Sequence, residues 1–296
     1  MKSRVLFKNK FVPLIFLLPQ VIFAILFFLY PIWESFVLSF QQTDPFGINQ
    51  KFVWFKNYID LFTSKDFLNA LFVTTVISIS IVFITIPISL LLALMVEKPI
   101  YNSKLFKTLL IWPFSIAPPV ASVVWVFIFQ PSIGIISRLL ESIGYDWNYI
   151  LNGGQALFLI IFVSSWAQIG YNFIFYLAAL TSIPKSLIES AKIDGANSKR
   201  IFWHIIFPFI SPTTLFLLIM NLIFSLFETF GIIDALTKGG PAKATETLIY
   251  KSYVDGITKF DLNNSATQSV ILFFIGILLT YLQLRFFERR IYYHGI

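Results

Sequence analysis

The chain has 296 residues, 57% of them apolar, 18% aromatic and only 12% charged, with a net charge of +7 and a mean hydropathy of +0.79. That balance belongs to membrane proteins and excludes an ordinary soluble domain. The absence of cysteine excludes disulfides and thiolate chemistry, the two histidines are too few for a histidine metal cluster, and the lack of any Gly-Lys dipeptide excludes the phosphate-cradling loop of a P-loop ATPase.

Residues 1–10 carry Lys2, Arg4, Lys8 and Lys10 without an acid, and an uncharged run follows from Phe11 to Trp33. A run of that length without a small-residue cleavage site reads as a retained signal-anchor span. Since about 20 apolar residues cross a bilayer core, five further spans follow, and the six lie at roughly 11–33, 69–96, 108–130, 156–180, 205–233 and 266–284. Pro87 predicts a kink in the second. The third carries Pro113, Pro118 and Pro119, tolerated where neighbouring helices satisfy the freed backbone groups. The expected fold is an all-α integral membrane protein of six transmembrane helices in one domain, 1–296. Between spans three and four lie a short amphipathic piece, IISRLLESIG, and a turn-rich stretch, DWNYILNGGQ.

Orientation follows from where the basic residues sit. The N-terminus, 97–107, 184–208 and the C-terminus hold 14 Lys and Arg; the alternate connections hold 8, diluted by 9 acids. Both termini and the 184–208 loop therefore face the cytoplasm. The positive charge is an orientation signal, and no nucleic-acid partner is implied.

The 184–208 loop, PKSLIESAKIDGANSKRIFWHIIFP, is a polar island between two apolar runs. Each of its charges would cost roughly 2.5 to 3.5 kcal/mol at a bilayer centre, so it lies outside. Ser186 to Glu189 has the form of a capping box that starts a short helix. Asp194-Gly195 ends it, and a second short helix from about Asn197 to His204 follows. Unpartnered, such a hairpin could simply rest on the membrane surface.

Spans four and five carry polar residues at i, i+4, i+7: Ser164, Gln168 and Tyr171 on one, Asn221, Ser225 and Glu228 on the other. Each set shares one helix face. The two stripes could line a cavity, or serve as interhelical hydrogen-bond glue worth about 0.6 to 2 kcal/mol per contact. Glu228 is a functional candidate because an intramembrane carboxylate needs water or a partner, whereas Glu34, beside Pro31 and Trp33, reads as interfacial.

The residues Glu189-Ser190-Ala191, Asp194-Gly195-Ala196, Ile205 and Pro208 together resemble the EAA loop of binding-protein-dependent ABC importer permeases, with Ser190 where alanine is usual. The resemblance extends over almost the whole chain. The segments Gln42–Trp54, Gly144–Asn148 and Thr237–Gly256 are similar to the sn-glycerol-3-phosphate branch of that family. It implies a cytoplasmic coupling loop that docks on an ATPase subunit, with Glu189, Ser190, Ala191, Asp194, Gly195, Ala196 and Pro208 carrying the contact. It also implies a second permease subunit in a heterodimer, two ATPase subunits holding ATP and Mg, an extracytoplasmic substrate-binding protein, and substrate contacts from the two polar stripes. The chain itself would be no enzyme and would carry no cofactor. The expected location is a bacterial inner membrane, with lipid around the spans.

Three readings stay open at this stage. No Lys or Arg occurs inside any span, so a phosphate has no cationic fork on this chain and a sugar or polyol would suit the stripes equally. Proton-coupled secondary transport through Glu228 is the competing class. A membrane enzyme lacks any nucleophile or paired-carboxylate constellation.

Overall fold

A computed structural model of the chain describes residues 11–43, 50–97 and 103–287. The basic residues Lys2, Arg4, Lys8, Lys10, Arg289 and Arg290, used above for orientation, lie outside the described residues, as do 44–49 of the Gln42–Trp54 segment and 98–102. The chain divides into two compact units, Met1–Thr63 with Ser252–Ile271, and Ser64–Lys251 with Leu272–Ile296.

The first unit begins with α1 (Phe11–Ala24), which passes through one π-helical turn, Ile25–Leu29, into α2 (Tyr30–Ser39). Leu14–Ser39 is thus one apolar helix, six residues longer at its far end than the uncharged run that predicts it, with Trp33 and Glu34 inside it and exposed. The last carbonyls of a helix need partners, and side chains supply them. Asn57 donates to the Ser39 and Gln41 carbonyls at 2.9 and 2.7 Å, Asn263 to Leu38 at 3.1 Å, and Thr267 to Ser39 at 3.3 Å. A two-stranded antiparallel ribbon follows, β1 (Gln41–Thr43) on β2 (Gln50–Phe52), then α3 (Lys56–Thr63).

In the second unit, α4 (Lys65–Glu97) runs unbroken through Pro87. After α5 (Ser103–Ile111) come a 3-10 turn, Trp112–Ser115, and α6 (Pro118–Phe129). Next are α7 (Ile135–Ser142), which matches the amphipathic piece, and α8 (Gly153–Thr181), opened by Asn152, whose side chain accepts from the Gly154 and Gln155 amides. The core lies where α4, α8 and a later helix meet: Ala93 and Val96 against Phe173, Tyr176 and Leu180, with Ile210 and Leu217 closing it. Gly170 is required there, because a Cβ would stand 2.6 Å from the Leu110 carbonyl oxygen.

Two further spans differ from expectation. The third, 108–130, is a broken helix, Leu105–Ser115 and Pro118–Phe129 meeting at 102°. Prolines 113, 118 and 119 each lack an amide donor, and Pro118 pushes Ala117 out of the helical region (ψ 129). Among the described residues five helices are therefore long and apolar enough to cross a membrane unaided, and there are six if the bent pair is one span. The fifth span begins and ends earlier than 205–233. It is continuous from Ser198 to Glu228, through α10 (Ser198–Ile201), a π turn (Phe202–Ile206), α11 (Phe207–Ile223) and a second π turn (Phe224–Glu228). The chain breaks at Thr229 before the short α12 (Phe230–Leu236), and α13 (Leu248–Tyr253) and α14 (Leu262–Phe287) complete it.

Candidate functional site

Between α8 and α10 stands α9 (Lys185–Ile193). Its start differs from the expected capping box: Pro184 is the N-cap, without a side-chain cap bond, and Ser186 sits inside the first turn. A fixed proline φ already suits that position, so the cap lies two residues ahead of Ser186. Its end is as read. The Ala196 amide donates to Ala191 at 2.9 Å and the Gly195 amide to Lys192 at 3.1 Å, with Gly195 at φ 78, which is a Schellman motif. No atom lies within 4 Å of a Cβ built on Gly195, so only the backbone conformation demands glycine. Asn197 then caps α10, its side-chain oxygen accepting from Arg200 at 2.9 Å.

The second arm is therefore no separate short helix ending at His204. It is the first turn of the fifth span. The π turn lets the helix pass Pro208: the Phe207 amide donates to Phe202 five residues back, just before the missing donor. Glu189, Ser190, Asp194 and Gly195 are exposed, Ala191, Ala196 and Pro208 half-buried. The hairpin also exposes apolar side chains, Ile193 at 85% and Leu187 at 42%, beside carboxylates and lysines.

The two stripes are split by depth. Ser164, Asn221 and Ser225 are buried within the unit, so they do not line an open surface of this chain. Asn221 is the centre of a polar cluster: it exchanges side-chain hydrogen bonds with Asn172 at 2.8 and 3.1 Å, accepts from Thr85 at 3.1 Å and donates to the Leu217 carbonyl at 2.7 Å. One side chain ties α4, α8 and α11 together. Ser225 donates to its own helix at Leu222, and the buried Ser164 hydroxyl has no partner among the described atoms. Asn172 and Thr85 are the residues sequence reading missed. Asn172 stands four beyond Gln168 and so extends the α8 stripe, which was the signal available.

Gln168, Tyr171 and Glu228 remain accessible, the first two half-buried and the last exposed. Tyr171 stacks obliquely on Phe114 and Phe175, ring centres 5.3 and 4.9 Å away, and lies within electrostatic reach of the Glu228 carboxylate. Glu228 occupies the last residue of the second π turn, where the helix ends. This accessible trio can offer hydroxyl, amide and carboxylate groups to a hydroxylated solute. It offers an anion no cation.

Residues 67–293 match the family model described as a binding-protein-dependent transport system inner membrane component. The chain is 46% identical over 291 residues, 98% of this chain and 99% of its relative, to the sn-glycerol-3-phosphate transport system permease protein UgpA of Yersinia pseudotuberculosis serotype I (strain IP32953). To the protein of the same name from Rhizobium meliloti (strain 1021) it is 44% identical over the same coverage. Among solved structures, a chain of a bacterial ABC transporter involved in the import of the acidic polysaccharide alginate superposes with a TM-score of 0.82 at 24% identity, over 94% of this chain and 96% of that one. A chain of the alginate transporter in complex with alginate pentasaccharide-bound periplasmic protein gives the same score over 97% and 96%. Those two share the fold.

Proposed function

From the premise that the chain belongs to the family of binding-protein-dependent transport system inner membrane components, we propose that it is one permease subunit of an ABC importer for sn-glycerol 3-phosphate. A second permease subunit completes the pathway, two ATPase subunits bind and hydrolyse ATP with Mg, and an extracytoplasmic binding protein delivers the solute. The observation that carries this reading is the 46% identity, over nearly the full length of both chains, to permeases of that transport system. The chain does mechanical work and no chemistry, in keeping with a sequence that lacks a nucleotide-binding loop.

The hairpin is the coupling element. Glu189 pairs with a cation on the ATPase, and the exposed Ile193 and Leu187 enter its apolar cleft. Because α10 runs into the fifth span without a break, a displacement of the hairpin reaches Asn221 and Glu228 along one helix. The polar cluster at Asn221 then carries α8 and α4 with it. Both termini and the hairpin lie on the cytoplasmic side.

A second reading, a sugar or polyol importer, is favoured by one feature: Gln168, Tyr171 and Glu228 suit hydroxyl groups, and Glu228 repels a phosphate. With glycerol 3-phosphate, this chain would face the glycerol end and its companion permease the phosphate. The test is to purify the chain with its ATPase and measure which loaded binding protein stimulates hydrolysis. Stimulation with glycerol 3-phosphate supports the first reading; stimulation only with a neutral sugar replaces it with the second. Uptake that follows a proton gradient and needs no ATP would overturn both.

A further inference from the structure

The helices α4 and α8 run side by side in the same direction. Both begin at one loop: Asn69, near the start of α4, donates to the Lys243 carbonyl at 3.0 Å, and a Cβ on Gly153, the first residue of α8, would stand 2.6 Å from the Ala244 side chain. Further along, Ser89 donates to the Ile169 carbonyl at 3.1 Å, and Thr85 and Asn172 both donate to the Asn221 side-chain oxygen at 3.1 Å. Residues seven apart share one face of a helix to within a small drift. Seven residues before Thr85 stands Ser78, and seven before Asn172 stands Ser165. The two serines therefore turn toward the same seam at the same level, two turns or about 10 Å from the Asn221 cluster, on the side where both helices begin.

This second level has hydroxyls but no bonds. Ser78, Ser165 and the adjoining Ser164 are 5%, 2% and 0% exposed, and none of the three hydroxyls has a hydrogen-bond partner. Threonines of α4 differ: Thr74 and Thr85 return their hydroxyls to the Ala70 and Ile81 carbonyls, each at 2.7 Å. The buried neighbours of the serines along the two helices are aliphatic, Ile77, Ile81, Ile160 and Val163, and can offer no polar side chain. Buried polar groups almost always have a partner, in protein or in ordered water. A hydroxyl both donates and accepts, so the molecule that satisfies three of them inside an aliphatic wall is small, neutral and both donor and acceptor.

We propose that buried water occupies the α4–α8 seam at this level, one molecule bridging Ser78 to Ser165 and the Ser164 hydroxyl taking a further bond. A buried water makes about three hydrogen bonds, which matches the three hydroxyls that lack one. The two helices are then joined by direct side-chain bonds at Asn221 and by water two turns away. The site consists of this chain's own residues and is independent of the transported solute.

The test uses the assembled transporter. Hydroxyl radicals produced by an X-ray pulse arise from water, so they oxidise a buried side chain only where water lies beside it. Ile77, Ile81 and Ile160 should be oxidised although they are buried, while Phe173, Ile210 and Leu217 of the apolar core stay unmodified. Alanine variants give a second readout. Removing a dry, unpaired hydroxyl stabilises a fold, whereas removing one bonded to water does not. Ser78→Ala and Ser165→Ala should each lower the melting temperature by about 2 °C, the weight of one hydrogen bond in a chain of this size. The double variant should lose less than the sum of the two, because one water serves both. Oxidation confined to exposed residues overturns the proposal, as does a higher melting temperature in the single variants. Strictly additive losses overturn the bridge between Ser78 and Ser165. If an alanine variant fails to assemble, the wild-type oxidation map alone decides.

Discussion

The hairpin and the polar cluster inside the spans hold their shapes by opposite means. In the hairpin, backbone amides and one asparagine cap fix the turn while the polar side chains of Glu189, Ser190 and Asp194 stay exposed. In the cluster, Asn221, Asn172 and Thr85 are wholly buried and spend their side chains on one another. A surface that keeps its side chains unspent is built to meet another molecule. A buried site whose amides are mutually satisfied is built to hold helices in register. In the function proposed here, the first takes up force and the second decides which helices it moves.

The largest effect is expected where α8 packs on the backbone of α5. Gly170→Leu places a Cβ 2.6 Å from the Leu110 carbonyl, which backbone alone must relieve; overpacking of this kind costs about 1 to 3 kcal/mol or more. The yield of folded protein and its melting temperature in detergent should both fall, and an unchanged melting temperature would mean that α8 does not lie against α5.

The cluster comes next. Asn172→Leu leaves one Asn221 amide hydrogen without its acceptor, an expected loss of about 1 to 3 kcal/mol. The double variant Asn172→Leu, Asn221→Leu removes both groups and should cost less than the sum of the two single changes. Strict additivity in denaturation midpoints would break the contrast drawn above, since it would make the pair independent.

In the hairpin the changes should be smaller and local. Gly195→Val forces a branched side chain to φ 78, costing about 1 to 2 kcal/mol, and Asn197→Ala removes a cap worth about 1 kcal/mol. Amide exchange should rise at Ala196 and Arg200 while protection in α8 stays as it was. Loss of protection in α8 would mean that the hairpin is a structural support for the spans.

The smallest effect is one of pH. Tyr149, buried in the connection before α8 and outside the spans, has its phenol raised above the ordinary 10.0 by desolvation. A raised phenol stabilises the fold fully below pH 10 and loses that contribution as pH climbs through the folded value. Tyr149→Phe should therefore flatten the alkaline limb of the stability profile and leave neutral pH unaffected.

Most of this architecture was legible in the sequence because membrane spans announce themselves by length and charge. The turn at Asp194-Gly195 was legible as well, since a glycine at a helix end reports backbone conformation directly. The third span was legible as apolar but not as broken: each proline is individually tolerable, and only their joint spacing at 113, 118 and 119 turns the chain by 102°. The continuity of α10 with α11 was hidden by the same residue, because Pro208 reads as a boundary and a π turn makes it an interior position. The stripes were found by helical spacing, yet spacing gives a face and not its neighbour. Asn221 faces Asn172 and not a cavity, while Tyr171 and Glu228 on the same two stripes stay open.

The central claim is that the exposed hairpin delivers nucleotide-driven motion to the spans through Glu189. Its most direct measurement is solute uptake into vesicles holding the reconstituted transporter, supplied with ATP and loaded binding protein, with wild type compared against Glu189→Lys. The account predicts that the variant inserts, folds and leaves the ATPase subunits able to hydrolyse ATP, while uptake is lost. Uptake at the wild-type rate by Glu189→Lys would contradict it.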